Sequence, residues 1–76
     1  MMERITEIVN DIKEKHGFKY TDEDLLAIAM GVDILKSFGR DDPDRITKTV
    51  TDAAILIGLR NQYPDIPVHY AFLFTN

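Results

Sequence analysis

Apolar positions recur at helical spacing along three stretches of the chain, and the middle stretch contains most of them. From Leu25 to Phe38 the sequence is LLAIAMGVDILKSF, in which only Asp33, Lys36 and Ser37 are polar. At about 100° per residue, the large apolar residues fall on two stripes along different sides of a helix. Such a helix is normally buried on nearly all sides, so the pattern predicts a central helix. The first stripe comprises Leu25, Ile28, Val32 and Leu35, and the second comprises Leu26, Met30, Ile34 and Phe38.

Residues that favour the ends of a helix lie directly beside this stretch. Thr21 and Asp24 have the spacing of a capping box, with Asp in the position where Glu or Gln is usual. Asp22 and Glu23 add negative charge to the first turn, where the helix dipole favours it. Gly39 is suited to the left-handed conformation that ends many helices. Together these residues predict a helix over 22–38.

Two further helices are predicted, one on each side of the central helix. Residues 3–15 carry a single apolar stripe typical of a core-facing helix. A third helix runs from Pro43 to about Gln62 and ends before Pro64, because residues before proline avoid the helical region. Several β-branched residues weaken its first half, so a strand over 45–51 is the alternative. The stripes consist of Ile5, Ile8, Val9 and Ile12 in the first helix and of Ile46, Val50, Ala53, Ala54 and Ile57 in the third.

The last twelve residues, DIPVHYAFLFTN, allow two interpretations. Asp65 and Pro67 suit the start of a short final helix. An alternating pattern suits a strand instead, and a single strand would need a second subunit to pair with. In either case we expect these apolar side chains to be covered, by the core or by an interface. The alternating residues are Val68, Tyr70, Phe72 and Phe74.

Length and composition limit how such a chain can be stabilised. It has 76 residues and no cysteine, so disulfides and cysteine-based zinc sites are excluded. Oligomerisation is the remaining common support for a small core. We therefore predict a single all-α domain over 1–76, with three helices and a short C-terminal helix or strand, completed by homo-oligomerisation. The predicted subunit or partner interface consists of Leu26, Met30, Ile34, Phe38, Tyr70, Phe72 and Phe74.

The charge balance disfavours nucleic acid as a partner. Thirteen acidic and nine basic residues give a net charge of −4, whereas binding to phosphates requires clustered Lys and Arg. A helix-turn-helix regulator is a minor alternative, since the start of the third helix offers only Arg45 to read bases. The charged N-terminus MMERITEIVN and the lack of an apolar run of about 20 residues predict neither a signal peptide nor a membrane span. We expect a cytoplasmic protein.

Candidate chemistry is sparse. The chain has no Gly-rich phosphate loop, nucleophile elbow or H-E-x-x-H motif. His16 and His69 lie on different predicted elements, with no carboxylate at a telling spacing. We predict neither an enzyme nor a cofactor or metal site. The acidic cluster near the third helix lacks the pattern of a calcium loop and is interpreted as capping and dipole charges; it consists of Asp41, Asp42 and Asp44.

These observations predict a small acidic, non-enzymatic protein–protein interaction module. We expect it to associate with itself and to regulate or inhibit an unidentified partner protein; small proteins of this kind occur among phage and mobile-element products. The alternative is a protein that binds a nucleotide or metabolite in a pocket between subunits. The basic residues that could hold such a ligand are Arg4, Lys19, Arg40, Arg45 and Arg60.

Overall fold

Three α-helices form most of residues 2–65, the part of the chain that a computed structural model describes. α1 spans Met2–His16, α2 spans Asp22–Ser37 and α3 spans Pro43–Gln62. All three predicted helices are confirmed, and each end agrees to within one residue. The strand alternative for 45–51 is wrong, because these residues lie inside α3. The predicted C-terminal helix or strand falls outside the described residues.

One apolar core lies where the three helices meet, and α3 packs against both of the others. The inward stripes of α1 and α3 are largely those predicted. In α2, the first stripe is buried at its centre, where Ile28 is 4% exposed and Val32 is 0% exposed, whereas Leu25 and Leu35 at its ends are only half-buried. Ile57 of α3 is also only partly buried. The buried set is Ile5, Ile8, Val9, Ile12, Phe18, Ile28, Val32, Ile46, Val50 and Ala54.

Local hydrogen bonds define both ends of α2. Thr21 Oγ1 accepts a hydrogen bond from the Asp24 backbone N–H at 3.1 Å, and the Asp24 carboxylate accepts one from the Thr21 backbone N–H at 2.9 Å. This is the predicted capping box. At the other end Gly39 has φ +75°, and the Arg40 N–H donates to the Leu35 carbonyl at 3.0 Å. With the Gly39 N–H bonded to the Lys36 carbonyl, this is a Schellman motif.

The start of α3 corrects one detail of the prediction. Asp42 is the N-cap residue and Pro43 follows it at the first helical position, as expected. The Asp42 side chain, however, forms no capping hydrogen bond. Its backbone ψ of 126° is that of an extended residue, which is the conformation that a following proline favours. Proline therefore sets this helix start more than the aspartate side chain does.

The connection between α1 and α2 is held to the core by two aromatic side chains. Phe18 is 6% exposed, and the Tyr20 hydroxyl donates a hydrogen bond to the backbone carbonyl of Ala54 in α3. Both side chains lie against Gly58, where a Cβ would overlap the Phe18 ring and stand 2.8 Å from the Tyr20 hydroxyl. A glycine inside a helix normally weakens it. The structure gives Gly58 a packing role, because only glycine leaves room for these side chains.

The Gly58 contact predicts an unusual response to alanine. Alanine normally favours a helix over glycine by about 1 kcal/mol, but overpacking a core costs about 1–3 kcal/mol. The added Cβ would overlap the Phe18 ring, so the cost should lie near the upper end of this range. After the helix gain is subtracted, we expect Gly58→Ala to lower the free energy of unfolding by about 2 kcal/mol, measured by urea denaturation. The matched control is Gly31→Ala in α2, where a Cβ would meet nothing within 4 Å. That variant should be no less stable than the wild type at low protein concentration, and equal losses in both variants would contradict the packing role.

Tyr20 predicts a pH effect in the alkaline range. Burial, reinforced by the nearby charge of Asp24, raises the pKa of the Tyr20 hydroxyl to about 12. In the unfolded chain the hydroxyl loses its proton near its ordinary value of about 10. Between these values the unfolded state binds fewer protons, so stability should fall as pH rises from about 10 to 12. Chemical denaturation across this range should show a smaller fall in Tyr20→Phe, whereas Tyr63→Phe at an exposed position should behave like the wild type.

Candidate interaction surface

Four large apolar side chains, three in α2 and one at the C-cap residue directly after it, are exposed on the side of the helix away from the core. Leu26, Met30, Ile34 and Phe38 are between 56% and 75% exposed. They follow one another at intervals of four residues, so each is turned by about 40° from the one before it and the row runs obliquely along the helix. We call this row the α2 ridge. It extends for about 18 Å, the rise over its twelve residue steps.

The α2 ridge is more than scattered surface hydrophobicity. Single exposed apolar residues are normal on soluble proteins, whereas continuous apolar patches mark binding surfaces. Here Leu26 and Met30 are followed by Ala27 and Gly31, which are also exposed. A Cβ built on Gly31 would meet nothing within 4 Å, so this position faces open space. The surface therefore combines a row of large apolar side chains with two small residues next to it.

Charges are concentrated at the ends of α2. Asp22 and Glu23 are exposed in the first turn, whereas Lys36 and Arg40 are exposed at and just beyond the last turn. Asp33 is the charged residue within the middle of the helix, and it lies at one margin of the ridge. Asp41 and Asp42 follow Arg40 directly and are also exposed. The start of α2 is therefore acidic, the region at its end is mixed in charge, and the surface between them is apolar.

The start of α2 is fixed to the end of α3 by one side chain. The Asn61 amide donates hydrogen bonds to the Lys19 carbonyl at 2.8 Å and to the Asp24 carboxylate at 2.9 Å. The hydrogen bond from the Thr21 backbone N–H is the main reason that the pKa of the Asp24 carboxyl lies below its ordinary value. The hydrogen bond from the Asn61 amide also lowers this pKa. These bonds, with the burial of Ile28 and Val32, set the rotation of α2 about its own axis. That rotation directs the ridge away from the core.

Groups suited to catalysis or metal binding are not gathered within residues 2–65. No group of three or more His, Asp or Glu side chains in this part of the chain could hold a metal ion. His16 stacks on Phe18, with ring centroids 5.1 Å apart, at the exposed end of α1. No polar or charged residue among those described is fully buried. Tyr20, whose pKa is raised by burial, bonds its hydroxyl to the Ala54 carbonyl in the fold.

The five basic residues considered for a ligand are distributed over α1, α3 and the two connections between helices. Arg4 pairs with Glu7 on α1 at 3.0 Å, Arg40 lies in the turn after α2, and Arg45 and Arg60 lie near opposite ends of α3. Lys19 borders an open groove of about 440 Å³ at the end of α1. Every one of these cations is exposed. The groove is lined by Asn10, Lys13, Glu14, Gly17, Phe18 and Lys19.

Comparison with protein-family models, with curated proteins and with solved structures found no match to this chain. Within residues 2–65, none of the helices has the length and apolar character needed to cross a bilayer.

The structure separates the seven predicted interface residues into two sets. Leu26, Met30, Ile34 and Phe38 share one exposed surface, as their spacing implies. The other three, Tyr70, Phe72 and Phe74, lie outside the described residues. Tyr63, which is 47% exposed at the end of α3, is a further large apolar side chain on the surface that the sequence analysis did not single out. The sequence did offer an indication that Tyr63 is exposed, because it directly precedes Pro64, before which the third helix was predicted to end.

The capping box makes a prediction about the start of α2. Thr21→Ala removes the hydroxyl that accepts the Asp24 N–H, and losing such a cap costs about 1 kcal/mol of stability. Thr21→Ser keeps the hydroxyl and should remain close to the wild type. Urea denaturation monitored by circular dichroism measures both values. A loss of the same size in both variants would mean that the threonine methyl group, rather than the cap, stabilises this position.

Proposed function

We propose that this chain acts by binding protein, that the α2 ridge is its contact surface, and that a second copy of the chain is the first partner. One observation carries the proposal: four large apolar side chains in an unbroken row remain more than half exposed on the helix that also forms the core. The scattered basic residues and the lack of a buried polar group in residues 2–65 favour binding over catalysis. A module of this kind regulates another protein by offering or covering such a surface.

The energetic argument is that apolar side chains exposed to water are less stable than the same side chains buried in an interface. Fully burying a Leu, Ile, Met or Phe side chain contributes about 1.5–3 kcal/mol, and the ridge residues already have part of this contribution. Two copies that cover each other's ridges would gain about 6–12 kcal/mol in total by this estimate. Association costs about 4–15 kcal/mol in lost freedom of motion. The gain and the cost are of similar size, so the population of the proposed dimer depends on protein concentration.

A charge placed in the ridge tests the proposal. Met30 is 57% exposed, so Met30→Glu should leave the monomer folded, which circular dichroism can verify. In the dimer the new carboxylate would be buried against apolar side chains, which is costly. We expect the dissociation constant to rise by at least about 100-fold, equivalent to about 2.7 kcal/mol, measured by sedimentation equilibrium.

The matched control for this experiment is Asn10→Glu. Asn10 is exposed on α1, and its replacement by glutamate changes the net charge by the same amount as Met30→Glu does. This control should associate as the wild type does, because it lies away from the ridge. If Met30→Glu kept the wild-type dissociation constant, the α2 ridge would not be the contact surface.

A further inference from the structure

We draw no further inference here: the strongest candidate, the α2 ridge on the outer side of the bundle, already belongs to the surface described above, and nothing in the structure shows what covers it.

Discussion

Burial of Ile28 and Val32 between α1 and α3 determines how the rest of the molecule is arranged. These two residues are the inward centre of α2, and their contacts decide which side of that helix meets the core. Because α1 and α3 both pack on that side, the opposite side receives no cover from either of them. The α2 ridge is exposed as a direct consequence. The same contact that stabilises the fold thus creates the surface that we propose for binding.

A second set of contacts holds this arrangement at one end of the bundle. Phe18 and Tyr20 enter the core from the connection before α2, and they fit because Gly58 leaves space for them. Asn61 then joins the end of α3 to the start of α2. Rotation of α2 about its axis would break these bonds and withdraw Ile28 and Val32 from the core. These contacts fix the orientation of α2, so the α2 ridge stays on the outer side of the bundle.

Local features of the sequence were predicted well because their causes are local. The capping box at Thr21 and Asp24, the glycine after α2 and the proline at the start of α3 act through neighbouring residues, so their spacing was enough. The two stripes of α2 followed from helical geometry in the same way. Assigning the second stripe to an interface left the first stripe for the core, and the centre of the first stripe is the part that is buried.

The features that were missed depend on contacts across the chain. Gly58 is explained only by Phe18 and Tyr20, which lie about forty residues earlier in the sequence. Asn61 has no distinctive neighbours, and its hydrogen bonds to Lys19 and Asp24 could not be inferred from periodicity. The side chain of Asp42 was expected to cap α3, yet capping depends on a side-chain rotamer that residue type does not specify.

The central claim is that the α2 ridge makes this chain associate with itself, and the solution mass tests it most directly. Light scattering of the wild type over a dilution series, from millimolar to low micromolar protein, provides that mass. The account predicts values near twice 8.7 kDa at high concentration, falling toward 8.7 kDa on dilution. A constant mass of 8.7 kDa across the whole series would contradict it.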